Sequence, residues 1–166
     1  MKNDLDQSGL REILDYDAAS GLLYWRVRFP RSKNQIGDIA GCVATDGYIV
    51  VGLNGRYYKG HRLAWLHVYG EWPDRTLDHI NGNRSDNRIS NLRLATKSEN
   101  CRNAKISIKN KSGFKGVHWN KATKKWRATC KVGDRPTYLG SFATAEEAAI
   151  AYKEFASKHH GEFFKA

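Results

Sequence analysis

From residue 125 to 132 the chain alternates strictly. Trp126, Ala128, Cys130 and Val132 fall on one register, and Lys125, Arg127, Thr129 and Lys131 on the other. A period of two predicts a β-strand with one apolar face and one basic, polar face. Residues 113–119 upstream read as a first strand, 120–124 as a loop, and 133–135 as a turn into a third strand over 136–142. Thr144-x-x-Glu147 is then a capping box. Beyond it the period becomes helical, with Ala148, Tyr152 and Phe155 on one stripe, Ala149 and Ala156 flanking it, and Gly161 as a stop. A helix with such small residues lies close on the apolar face, which leaves the basic face of the sheet outward.

The first hundred residues carry a different pattern. Short β-like runs at 21–25, 47–51 and 56–58 are separated by Gly-rich turns. Residues 61–69 read as a helix with Leu63, Leu66 and Tyr69 (or Trp65) inward, ended by Gly70. The stretch 77–93 is dense in Asp, Asn and Arg around Asn81-Gly82, which predicts a hairpin-like turn and a tight loop. Thr96-x-x-Glu99 opens a second helix over 96–103.

Charge adds a direction to this picture. The 166 residues hold 28 Lys+Arg against 17 Asp+Glu, a net charge of +11. Residues 1–104 contribute +3 and residues 105–166 contribute +8, and between 105 and 141 ten basic residues face one acid, Asp134. Such density implies an anionic polymer as partner, and two- or three-stranded sheets enter the DNA major groove. No apolar run approaches the roughly 20 residues of a membrane span. Residues 1–17 lack the apolar segment of a secretory signal. Cys42, Cys101 and Cys130 form no C-x-x-C pair, so neither a zinc site nor a disulfide framework is expected. The expectation is a soluble protein of the cytoplasm, with no membrane and no obligate protein partner, monomeric or a weak dimer.

The candidate chemistry sits in the polar stretch. Hydrolysing a phosphodiester at neutral pH needs a base to activate water and a divalent cation to stabilise the leaving oxygen. His79 suits the base, and Asp78 and Asn100 are hard oxygen donors of the kind Mg²⁺ takes, with Mn²⁺ as a substitute. Arg62, Arg84, Arg88, Arg93 and Arg102 are candidate phosphate contacts.

The Asp78-His79 pair, Asn91 thirteen residues after Asp78 and Asn100 twenty-two after it resemble the HNH endonuclease motif. The resemblance covers about 20–104 and includes the His61-Arg62-Leu63-Ala64-Trp65 lead-in. Asn100 replaces the last His, as in homing members encoded by phages and mobile elements. By resemblance His79 is the general base, Asp78 and Asn100 bind metal, and Asn91 braces the loop that positions the base. The cysteine pairs that hold a structural zinc in some members are absent.

Ser112-Gly113-Phe114-Lys115-Gly116-Val117-His118-Trp119, Tyr138-Leu139-Gly140-Ser141-Phe142 and the 146–149 helix start resemble the Apetala-two/ethylene-response-factor (ERF) DNA-binding domain over nearly all of 112–164. That resemblance places Lys115, His118, Lys131 and Tyr138 at DNA-contact positions, to which the alternation adds Lys125, Arg127 and Thr129. Thr129 and Pro136 fall where plant members usually carry Glu and Arg, so the plant target sequence does not transfer.

Together these imply an α+β chain: a ββα-metal HNH nuclease domain over 1–104 (motif core 60–104), a basic linker over 105–112, and an ERF-like DNA-binding domain over 113–166, a small three-stranded antiparallel sheet packed on one helix. The expected activity is site-directed, metal-dependent nicking of double-stranded DNA by a homing endonuclease. The competing expectation is a non-catalytic DNA-binding regulator with a decayed nuclease half.

Overall fold

The computed structural model describes residues 5–30, 32–103, 106, 110–132, 135–159 and 161, with Arg102 described for its backbone alone. The chain divides into two compact units, Met1–Thr96 and Lys97–Ala166. Among the described residues no helix is long and apolar enough to cross a membrane.

In the first unit α1 (Gln7–Ile13) is capped by Asp6, whose side chain accepts the Gly9 N–H. It leads into a hairpin of β1 (Leu14–Asp17) and β2 (Leu22–Trp25). A three-stranded antiparallel sheet follows in the order β3 (Cys42–Val43), β4 (Ile49–Leu53), β5 (Arg56–Lys59). Its β4–β5 turn is Asn54-Gly55 with both residues at positive φ, 49° and 76°, the left-handed pair that a tight hairpin demands. Chain direction reverses into α2 (Gly60–Tyr69), closed by Gly70 in the left-handed conformation. Leu10, Leu14, Leu23, Trp25, Val51, Leu53, Leu63 and Leu66 form one buried cluster between these elements.

Next comes the pair β6 (Thr76–His79) and β7 (Leu92–Ala95), antiparallel with Asp78 opposite Arg93 and His79 opposite Leu92. The 80–91 loop between them ends in a single 3₁₀ turn, Ile89–Asn91.

The second unit holds α3 (Lys97–Asn103) and a sheet in the order β10 (Arg135–Phe142), β9 (Lys125–Val132), β8 (Val117–Asn120). Helix α4 (Ala145–His159) packs on this sheet. The 144–147 capping box forms in both directions: Thr144 Oγ1 accepts the Glu147 N–H at 3.2 Å and Glu147 Oε2 accepts the Thr144 N–H at 3.4 Å. Ala145, Ala148 and Ala149 bury against Val117 and Ala128, so the basic register of β9 faces away from the helix.

Two expectations are corrected. Tyr69 is 54% exposed and lies against Trp65; the buried face of α2 is Gly60, His61, Leu63, Ala64 and Leu66, because the helix packs by its N-terminal turns. The first strand of the second unit begins at Val117 rather than residue 113. Gly113 and Gly116 both turn through positive φ, and Asn110 and Ser112 occupy the local backbone groups that a strand would pair. The N-terminal α1 and β1 went unpredicted, since four residues of β1 show no resolvable alternation. Residues 105, 107–109, 133 and 134, where linker and turn were expected, lie outside the described residues, as do 160 and 162–166.

Gly116 tests the packing. It sits at φ +69°, and a Cβ there would stand 2.3 Å from the Tyr152 ring and 2.4 Å from the Thr129 carbonyl oxygen. Gly116→Ala is expected to destabilise the second unit by about 1–3 kcal/mol, read as a lower denaturation midpoint. An unchanged midpoint would mean that Tyr152 yields without cost.

Candidate active site

Strand alternation sends Asp78 and His79 to opposite sides of β6, yet both are buried, at 3% and 4% exposure. Each is therefore held by a separate set of partners.

Asp78 meets Arg93 directly across the hairpin. The guanidinium Nε and Nη2 both donate to Asp78 Oδ2 at 2.9 Å. Arg93 is thus engaged inside the fold, where a carboxylate needs a cation to remain charged.

His79 lies among aromatic rings. Its Nε2 hydrogen-bonds Asn87 Oδ1 at 3.1 Å, its ring stands edge-to-face with that of His61 at 5.1 Å and 81°, and Tyr48 lies 5.8 Å away. Tyr48 in turn carries Lys59 Nζ at 4.6 Å and the Arg84 guanidinium at 4.9 Å from its ring centre. Two cations and two imidazoles therefore surround one phenol. Lys59 also pairs with Asp46 at 2.7 Å, and Arg84 donates to the Asp46 carbonyl.

Asn91 is buried and ties the 80–91 loop together. Its Nδ2 donates to the Asp86 carbonyl and to Asn81 Oδ1, while its Oδ1 accepts the Asn81 N–H at 3.0 Å. Asp86 receives both Arg88 Nε and Nη2, at 2.8 and 2.6 Å, which holds its carboxyl down to about 2. Arg62 lies over Trp72 at 5.6 Å. Asn100 stands half-buried on α3 in the second unit, and the Arg102 side chain lies outside the described residues.

Burial pushes His79 below the ordinary imidazole value, against the opposing pull of the Asn87 hydrogen bond and the Asp78 charge. Burial pushes His61 further, to about 3, with the His79 and Arg62 charges adding to the effect. His61 Nδ1 is buried with no hydrogen-bond partner among the described residues. Burial also lowers His67, which sits beside Arg11. Both site imidazoles are therefore neutral at pH 7, the state in which one can accept a proton.

These shifts make the fold acid-sensitive. The unfolded chain takes up protons on these histidines near 6.5, whereas folded His61 does so only near 3. Between those values the unfolded state binds more protons, so stability is lost as pH falls. The thermal midpoint is expected to drop between pH 7.5 and 5, and less so in His61→Gln. Equal drops in both proteins would show that His61 is not the cause.

On the second unit's outer face, His118 and Ser141 flank Arg127 across the sheet, and Tyr138 lies opposite Thr129. A bulge between Tyr138 and Gly140 shifts the register and brings Tyr138 and Ser141 to this one face, where their hydroxyls meet at 2.9 Å. The Arg127 guanidinium stacks over Tyr138 at 4.7 Å. Lys125, Lys131 and His118 are exposed; Lys115 is half-buried in the turn before β8.

Sequence reasoning passed over Asn87, Tyr48 and Lys59. Asn87 is one of several Asn residues in the same loop, and only its contact with His79 sets it apart.

Asp78 supplies a hard, dry carboxylate, a donor that suits Mg²⁺. Among the described residues no group of three or more His, Cys, Asp or Glu gathers. One carboxylate with substrate phosphate and water is a donor set that suits Mg²⁺, which keeps several waters.

Residues 58–102 match the family model described as HNH endonuclease. The chain is 33% identical to Protein 3.8 of Escherichia phage T7 over 112 residues, covering 65% of this chain and 92% of that protein. It is also 33% identical to the Uncharacterized HNH endonuclease L560 of Acanthamoeba polyphaga mimivirus over 105 residues, 62% of this chain and 54% of that one. Among solved structures, "DNA binding and cleavage by the HNH homing endonuclease I-HmuI" aligns with a TM-score of 0.42 and 26% identity, covering 60% of this chain and 55% of the other.

Proposed function

Because the chain belongs to the family of phage T7 Protein 3.8 and is an enzyme with an HNH endonuclease domain, we propose that it is a site-directed DNA endonuclease of the homing type that nicks duplex DNA. The observation that carries this reading is the buried Asp78-His79 pair on β6 inside the matched domain, with His79 neutral and held by Asn87.

His79 takes the proton of the attacking water, which aims the resulting hydroxide at phosphorus. Asp78 would hold a divalent cation, Mg²⁺ or Mn²⁺, which would supply charge stabilisation at the phosphate and the leaving oxygen, and Asn100 on α3 is by resemblance an oxygen donor of the same kind. Asn91 keeps the 80–91 loop in the shape that presents His79. Lys59 and Arg84, beside the Tyr48 ring, stand where a DNA phosphate next to the base would be gripped, with Arg62 and Arg88 as further backbone contacts.

The second unit supplies the address. Its outer sheet face, with His118, Lys125, Arg127, Thr129, Lys131 and Tyr138, enters the major groove as an ERF-like domain, and Lys115 reaches phosphate from the adjoining turn. Tethering raises the effective concentration of the nuclease at the docked site. A single centre cuts one strand per docking event, so nicked circles are the product, in the cytoplasm of the host cell.

The test is supercoiled plasmid incubated with the protein in Mg²⁺ and in excess EDTA. Nicked circles are expected in Mg²⁺ and none in EDTA, with activity restored by added Mg²⁺ or Mn²⁺. Plasmid that is bound yet stays intact in both metals would overturn the nicking reading.

A further inference from the structure

An imidazole acts as a base only through the nitrogen that lacks a proton, so something must choose which nitrogen that is. Here the choice falls to Asn87. Both residues are buried, at 4% and 3% exposure, and His79 Nε2 faces Asn87 Oδ1 at 3.1 Å. An amide oxygen only accepts, so Nε2 carries the proton and Nδ1 carries the lone pair.

Gly60 opens α2 tightly against the Asn87 amide: a Cβ at that position would stand 2.8 Å from Asn87 Nδ2. The backbone is clamped as well. The Tyr16 hydroxyl donates to the Asn87 carbonyl and accepts the Ile89 N–H, both at 2.9 Å. Gly21 closes the same hairpin, and a Cβ there would stand 2.7 Å from the Asn87 carbonyl carbon and 2.3 Å from the Arg88 nitrogen. Tyr16 and Gly21 lie in the β1–β2 hairpin, outside residues 58–102 that match the nuclease family.

We infer that Asn87 is a positioning residue that sets the tautomer of His79, and that the β1–β2 hairpin, through Tyr16, is a working part of the catalytic centre. The inference rests on the reading of His79 as the base. It assigns a function in the reaction to a hairpin that the HNH motif does not contain.

Two readouts on the full-length protein test it. Ring-nitrogen shifts of ¹⁵N-histidine-labelled protein report the His79 tautomer without any activity measurement, and plasmid nicking gives kcat and KM. Wild type is expected to show the Nε2–H tautomer. Asn87→Ala is expected to mix the tautomers and to lower kcat by about 10–100-fold, the range for a residue that orients another, with KM unchanged. Asn87→Asp keeps an acceptor and is expected to keep the tautomer. Tyr16→Phe, nearly isosteric and outside the residues that match the nuclease family, is expected to shift both readouts in the same direction as Asn87→Ala, which keeps the test valid if Asn87→Ala fails to fold.

Retention of the Nε2–H tautomer and of wild-type kcat in Asn87→Ala, or in Tyr16→Phe where only that variant folds, overturns the inference. Failure of the base reading looks different: His79→Ala would then nick at the wild-type rate while the Asn87 variants still mixed the tautomers.

Discussion

Replacing His79 with alanine is expected to slow plasmid nicking by about 10²–10⁴-fold, the usual contribution of a positioned general base. Duplex binding, measured separately at fixed salt, is expected to change little. His79 is 4% exposed, so little of its surface is open for the duplex to bind. Burial holds it below the ordinary imidazole value, and its Nε2 is held by Asn87. Removing the ring leaves Asn87 Oδ1 facing a small void, so a thermal scan must show that the variant is folded. A folded His79→Ala that nicks within about tenfold of wild type falls below the range for proton transfer, and the base would lie elsewhere.

Arg93→Leu is expected to be the most destabilising single change in the first unit, by about 3–5 kcal/mol, because it strands a buried carboxylate without its cation. The Asp78 side chain is 4% exposed and Arg93 13%, so water screens the pair little. For a unit of this size such a loss lowers the thermal midpoint by more than about 10 °C. Asp78→Leu combined with Arg93→Leu is expected to recover most of that stability, since two apolar side chains of similar bulk replace a buried pair at little net cost. The double variant is expected to be folded and unable to nick, which separates the structural role of Asp78 from its role at the metal. Equal midpoints for Arg93→Leu and wild type would show that other groups carry the Asp78 charge.

Side-chain chemistry and local period were readable where one rule acts alone. The alternation at 125–132 depends on neighbouring residues only, and it became β9 with Ala128 and Cys130 buried. The capping box at 144–147 is equally local, three residues apart, and its two hydrogen bonds form. Asp78-His79 and the two Asn residues at fixed spacing pointed to a candidate chemistry, because hydrolysis at neutral pH draws on few residue types.

Other features were illegible for physical reasons. The start of β8 depends on Gly113 and Gly116 turning through positive φ, the latter under the Tyr152 ring, and no local pattern reports a ring from a distant helix. Tyr69 fits an inward stripe on a helical wheel, yet α2 packs by its opposite end. The bulge at Tyr138 and Gly140 changes which β10 side chains share a face with Arg127, and it exists only as a register against β9.

By itself, then, the sequence determined the residue types and spacing of the candidate centre, the basic face of the second unit and most elements of the fold. These follow from interactions within a turn or a strand. Only the tertiary structure decided that Arg93 belongs to Asp78, that Asn87 rather than Asn81 or Asn83 faces His79, and that Tyr16 reaches Asn87 across 71 positions. Four asparagines in one loop have identical chemistry, and what distinguishes them is which partner the folded chain brings within about 3 Å, the reach of a hydrogen bond.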